Sequence, residues 1–140
     1  MRNAPVRKIL VADDDEFSLK LMGKLLAHVG YTVSMARDGA QALDLLAREQ
    51  FTLLITDVNM PRMDGLRLLE EVKKKYHIPA IVITASDIDS GTQRRSYSLG
   101  ALRFIIKPVD RDELLNAVEE ILGKESKTHY GQGDSQRPCG

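Results

Sequence analysis

The sequence predicts a doubly wound α/β protein, and three observations carry the prediction. Short apolar runs alternate five times with longer stretches whose apolar residues recur at helical spacing. The runs are rich in Ile, Val and Leu, as expected of strands covered on both faces. The chain has 140 residues, enough for one core and too few for two ordinary domains, so all five strand–helix pairs belong to one sheet. Such alternation builds a parallel sheet with crossover helices on both sides.

The expected strands are Ile9 to Ala12, Tyr31 to Met35, Phe51 to Thr56, Ala80 to Thr84 and Leu102 to Ile106. After the first, Ser18, Leu21, Met22, Leu25, Leu26 and Val29 form an i, i+3, i+4 stripe that Gly30 stops. Asp38 with Gln41 has the spacing of a capping box and opens the second helix. The third helix is expected over about Asp64 to Lys75, and the fourth over about Ile88 to Leu99. The fourth is weakly encoded, because Ser90, Gly91, Thr92 and Ser96 are mediocre helix formers. Asp110 with Glu113 opens the last helix, whose expected buried face is Leu114, Leu115, Val118, Ile121 and Leu122. The pattern stops after Gly123. Residues 1–123 are therefore expected to form the ordered domain, and residues 124–140, with one aromatic residue and no periodicity, a disordered tail in which Cys139 and His129 are inert.

Charge excludes several function classes. Twenty Lys and Arg balance twenty Asp and Glu, so bulk attraction to nucleic acid or to an anionic membrane is not expected. The longest apolar runs are four residues, against the roughly 20 that a membrane helix needs. The N-terminal MRNAPVRKIL has no signal-type hydrophobic region, and a single cysteine forms no internal disulfide framework, so a cytoplasmic protein is expected.

In an open parallel sheet, ligands bind beyond the carboxyl ends of the strands, and four of the five ends are chemically informative. The first runs into Asp13, Asp14, Asp15 and Glu16, the third into Asp57 and Asn59, the fourth into Thr84, and the fifth into Lys107 and Pro108. Each group has a bland explanation: Asp13 to Glu16 as a helix cap, Asp57 as a turn former, Thr84 as a β-branched strand residue, Lys107 as a surface charge. Jointly they are harder to ascribe to capping. If those strands are neighbours, clustered carboxylates, a hydroxyl and an ammonium converge, and that set suits a hard cation, Mg²⁺ or Mn²⁺, with a phosphoryl group. Asp57 is then the natural nucleophile, forming an acyl phosphate, while Lys107 and Thr84 meet phosphoryl oxygens.

The segments KILVADDDEF, LLITDVNMPRMDGLRLLEEV, AIVITAS and GALRFIIKPVD, in this order, resemble the receiver domain of two-component response regulators of the chemotaxis-regulator-like type, over about Arg7 to Leu122. The resemblance implies a flavodoxin-like (βα)5 fold with strand order 2-1-3-4-5. It implies that Asp57 is phosphorylated from a phosphohistidine in a Mg²⁺-dependent reaction, and that Asp13 and Asp14 form the acidic pair, Asp14 being a direct ligand. Asn59 then supplies a main-chain carbonyl to the metal, Thr84 and Lys107 bind the phosphoryl group, and the bond before Pro108 is cis. Phe104, three positions before the lysine, is the implied aromatic switch partner of Thr84, without the hydroxyl of the tyrosine alternative. Ala12 stands where many relatives have a bulkier residue. The implied partners are a sensor histidine kinase or phosphotransfer protein and a downstream protein or output domain. The latter would be met through the fourth helix, fifth strand and last helix, including Arg94, Arg95, Tyr97 and Arg103. With no output domain following, the sequence fits either a stand-alone receiver or the receiver end of a longer protein, and KPVD rather than KPF disfavours the winged-helix subgroup. In this reading the chain is a regulatory phosphoacceptor that catalyses only its own phosphorylation and dephosphorylation. An aspartyl-phosphate hydrolase of the same fold class is the alternative, although such enzymes resemble a pattern with a second Asp where Asn59 stands. A flavin mononucleotide binder would instead want Ser, Thr and Gly where Asp13 to Glu16 lie.

Overall fold

The computed structural model describes residues 7–85 and 90–123. Five strands, β1 (Lys8–Ala12), β2 (Thr32–Ala36), β3 (Leu53–Thr56), β4 (Ala80–Thr84) and β5 (Ala101–Ile106), alternate with helices α1 (Glu16–His28), α2 (Gly39–Arg48), α3 (Gly65–Lys75), α4 (Ser90–Ser98) and α5 (Arg111–Leu122). All pairings are parallel, in the order β2-β1-β3-β4-β5.

Period-two alternation of side chains sorts the apolar residues of the strands into two cores. Ile9, Val11, Leu53, Ile55, Ile81, Ile83 and Ile105 pack with Leu19, Met22 and Leu26 of α1 and Leu114, Ala117 and Val118 of α5. On the other face Leu10, Ala12, Leu54, Ala80 and Val82 pack with α2 and α3 through Ala42, Leu46, Leu68, Leu69 and Val72. The three central strands are buried on both faces, as their composition predicts. The outer two are not: Met35 on β2 is 49% exposed, and Leu102 and Ile106 on β5 are 48% and 47% exposed. Their position at the sheet edges is the reason, since flanking helices cover an edge strand incompletely.

Two helix faces differ from the sequence pattern. On α1 the buried residues are Ser18, Leu19, Met22 and Leu26, Leu21 and Leu25 are half-buried, and Val29 is the exposed C-cap. The buried line follows i, i+3, i+7 from Leu19, which rotates the face away from Leu21. On α5, Ala117 joins Leu114 and Val118 in the core, while Leu115, Ile121 and Leu122 are only half-buried against it. Both expected N-caps form, with Asp38 accepting from the Gln41 N–H and Asp110 from the Glu113 N–H. The Gln41 side chain, however, accepts from the Arg37 N–H, one residue before the cap, so the box at Asp38 closes one residue early. Residue 88, the expected start of the fourth helix, and the expected tail over 124–140 with Cys139 and His129, lie outside the described residues. Among the described residues no helix is long and apolar enough to cross a membrane.

Candidate functional site

The sheet ladder places the site residues, because backbone bonds continue it just past the strand ends. The Asp13 N–H donates to the Ala36 carbonyl at 3.0 Å, the Asp57 N–H to the Ala12 carbonyl at 2.9 Å, and the Lys107 N–H to the Thr84 carbonyl at 2.7 Å. Strand order sets β1 beside β3, β3 beside β4 and β4 beside β5, so Asp13, Asp57, Thr84 and Lys107 stand in a row along one sheet end. The Lys107–Pro108 peptide bond is cis.

Lys107 connects the two buried acids. Its Nζ donates to Asp57 Oδ2 at 3.0 Å and lies 2.9 Å from Asp13 Oδ2. The contact to Asp13 is an ion pair off hydrogen-bonding angle, which leaves Asp13 Oδ2 buried with its charge compensated but without a hydrogen bond. Asp13 Oδ1 accepts from the Asp15 N–H at 2.9 Å, and Asp57 Oδ1 from the Val58 and Asn59 N–H groups at 2.6 and 3.3 Å. Burial pushes the Asp13 carboxyl up to about 6; the Asp15 N–H and Lys107 oppose that rise and the Asp57 charge adds to it. For Lys107 burial favours the neutral amine, yet Asp13 and Asp57 outweigh it and hold the ammonium above its ordinary value. Thr84 is fully buried and its Oγ1 has no hydrogen-bond partner in the structure. A buried hydroxyl without a partner is costly, so it marks a place built for a group that brings an acceptor.

The acidic run after β1 divides its labour. Asp15 is the N-cap of α1, accepting from the Phe17 N–H and from Ser18 Oγ, and Glu16 opens the first turn and pairs with Arg37 and Lys20. Capping thus accounts for Asp15 and Glu16 only. Asp13 and Asp14 are left for the site, where carboxylate oxygens of Asp13, Asp14 and Asp57 lie within 4.8 Å of one another. Asp14 is exposed, and so is Asn59, two residues after Asp57. Hard oxygen donors, one orphaned and one open to solvent, fit a divalent cation such as Mg²⁺. Phe104 is half-buried against the β4 and α3 side of the core, with its ring centroid 6.3 Å from that of Tyr97 on α4.

Two features of the site escape the sequence reading. Gly65 approaches Asp57 so closely that a Cβ there would lie 1.9 Å from the Asp57 carbonyl oxygen. The only sequence signal is a glycine directly after the α3 cap, Asp64, where a better helix former would otherwise serve. Thr56 Oγ1 donates to that same carbonyl at 2.9 Å, a contact that a β-branched strand residue does not advertise.

A family model for the response regulator receiver domain matches residues 9–119. The chain is 39% identical over 127 residues to the transcriptional regulatory protein GlrR of Escherichia coli K12, covering 87% of this chain and 27% of that one. It is 34% identical over 131 residues to the DNA-binding transcriptional regulator NtrC of the same organism, covering 92% and 26%. The chain therefore spans about a quarter of the length of these curated relatives. Among solved structures, the signal receiver domain of an HD domain-containing protein from Pseudomonas fluorescens Pf-5 superposes with a TM-score of 0.80 at 34% identity, covering 84% of this chain and 95% of that one. A CheY-like receiver domain protein from Methanospirillum hungatei JF-1 gives 0.79 at 30% identity, covering 88% and 98%.

Proposed function

Because the chain belongs to the response regulator receiver domain family, we propose that it takes a phosphoryl group from a histidine-kinase phosphohistidine, or a phosphotransfer protein, onto Asp57. The observation that carries this is the bridge from Lys107 to Asp57 and Asp13, beside a buried Thr84 hydroxyl without a partner. A carboxylate oxygen of Asp57 forms the new P–O bond as the donor's P–N bond breaks, and the departing imidazole takes up a proton from solvent. The backbone N–H groups of Val58 and Asn59 hold the carboxylate in place before reaction. Lys107 loses one carboxylate charge when Asp57 becomes an acyl phosphate and can follow the phosphoryl oxygens instead. Thr84 Oγ1 then finds its missing acceptor among them. Asp13, Asp14, Asp57 and the Asn59 carbonyl would hold Mg²⁺, which supplies charge neutralisation for the incoming dianion.

Thr84 and Phe104 act as the switch in this reading, and the exposed α4, β5 and α5 face with Arg94, Arg95, Tyr97 and Arg103 reads the state out, in a downstream protein or in another segment of the same polypeptide. Residues up to Gly123 make up the receiver unit, which works in the cytoplasm and, with balanced charge, has no nucleic-acid contact of its own. The chain catalyses only its own phosphorylation and dephosphorylation. The hydrolase alternative is not favoured, since the relatives are signalling receivers and regulators. The test is labelling with acetyl phosphate or a phosphohistidine donor. One stoichiometric, Mg²⁺-dependent label, lost in Asp57→Asn and in EDTA, is expected. Labelling that survives Asp57→Asn, or steady turnover of a generic phosphomonoester, would sink the assignment.

A further inference from the structure

The Asp57 loop is held at its far end by a pair of residues that take no part in the reaction described above. Asp38, at the start of α2, is fully buried, and its Oδ2 accepts from Arg62 Nε at 2.9 Å and from Nη2 at 2.5 Å, while Oδ1 caps α2 through the Gln41 N–H. Arg62 sits in the loop between β3 and α3 with φ of 64°, the left-handed region that an L side chain adopts at a cost. Next to it the Gly39 N–H donates to the Met63 carbonyl at 2.9 Å, and a Cβ on Gly39 would lie 2.7 Å from that oxygen. At the base of the loop the Gly65 N–H donates to the Val58 carbonyl at 2.8 Å. The loop is thus pinned at its base and at its tip, and Asn59 lies between the pins, exposed.

We propose that Arg62 is a positioning residue, which through its ion pair with the buried Asp38 holds the β3–α3 loop so that the Asn59 carbonyl is already aimed at the divalent-cation site. The proposal rests on the phosphoacceptor reading of that site. Two guanidinium N–H groups converge on one oxygen of a fully buried carboxylate, and that directional contact restrains the backbone at Arg62 and keeps the strained φ populated. Removing the clamp frees the loop to relax, and the cation must then order it on binding, at a cost in affinity.

Charge and positioning make opposite statements about one of the two partners, and this separates them. Through space, Arg62→Met removes a positive charge near a cation site and should tighten Mg²⁺ binding, whereas Asp38→Asn removes a negative charge and should weaken it. Positioning requires both to weaken it. Mg²⁺ affinity is measured by calorimetry and by backbone amide shifts on wild type, Arg62→Met, Arg62→Lys, Asp38→Asn and the double variant. Urea midpoints verify the fold, and acetyl phosphate labelling is followed against Mg²⁺ concentration. The expected result is roughly tenfold weaker Mg²⁺ binding in both single variants, a double variant no worse than either, and partial recovery in Arg62→Lys. The Mg²⁺ concentration for half-maximal labelling should rise far more than the plateau falls. Unchanged or tighter binding in Arg62→Met, with wild type binding Mg²⁺ and labelling normally, overturns the positioning role alone. Absence of Mg²⁺ binding and labelling in wild type overturns the underlying reading. Should Arg62→Met not fold, Asp38→Asn against Arg62→Lys decides: a loss in the first that the second does not share at all rejects the clamp.

Discussion

Replacing Gly65 by alanine sets two effects of known size against each other. Gly65 is the first residue of α3, where alanine is the better helix former by about 0.5–1 kcal/mol. On propensity alone the substitution stabilises. The added methyl, however, would sit 1.9 Å from the Asp57 carbonyl oxygen, 2.9 Å from its carbonyl carbon and 3.0 Å from Val58 Cα, and all three are backbone atoms with no rotamer to yield. Relief requires the Asp57 backbone and the start of α3 to separate by roughly 1 Å, against the Gly65-to-Val58 and Thr56-to-Asp57 hydrogen bonds. Overpacking typically costs about 1–3 kcal/mol, and three unyielding backbone contacts put this case at the upper end, so strain wins and a net loss of about 2 kcal/mol is expected. The same displacement moves Asp57, the proposed acceptor, relative to Lys107, and a misplacement of about 1 Å is worth on the order of 100-fold in rate. Urea unfolding gives the first number, and acetyl phosphate labelling at saturating Mg²⁺ the second. A Gly65→Ala protein at least as stable as wild type and labelling within twofold of its rate would refute the argument that close approach, rather than flexibility, requires this glycine.

Thr84→Val should raise stability by about 1 kcal/mol, because it removes a buried hydroxyl without a partner; a lower melting temperature would show that the hydroxyl is satisfied. Lys107→Ala leaves Asp13 and Asp57 uncompensated, so it should lower stability in EDTA yet bind Mg²⁺ more tightly than wild type, as read by calorimetry; unchanged affinity would contradict this. For Asp38, burial opposes ionisation, but the Gln41 N–H and Arg62 prevail and its carboxyl lies below the ordinary value. A depressed folded pKa contributes stability above the unfolded value of about 3.9, and loses it as pH falls through the folded one. The difference in urea midpoint between wild type and Asp38→Asn should therefore shrink as pH is lowered below about 4, and a difference that is constant with pH would exclude the ion pair as its source.

The fold was legible because five short apolar runs alternate with helical stretches, which builds a parallel sheet, and the site because opposite charges at strand ends have few bland explanations in common. Periodicity does not say which strand lies at an edge, so the exposure of Met35, Leu102 and Ile106 was not readable from it. The segment FSLKLMGKLLAHV is dense enough in Leu and Met to support two overlapping faces, and only the docked sheet chooses the one through Leu19. Asp38 was readable as a cap, which accounts for one of its oxygens; its second partner, Arg62, lies 24 residues away and leaves no local signature. Contacts set by tertiary approach, at Gly65 and Gly39 above all, have no periodic trace at all.

The ammonium that neutralises Asp57 comes from 50 positions further along the chain. Pairing of β1 with β3 brings Asp13 toward Asp57 without any contribution from β5, so a chain folded only that far holds two acids together with nothing to offset them. Lys107 reaches the two acids only through the pairing of β5 with β4 at the outer edge of the sheet. Docking of that edge strand is therefore the step that relieves the acidic end, and the set of Asp13, Asp57 and Lys107 is complete only once β5 is in place.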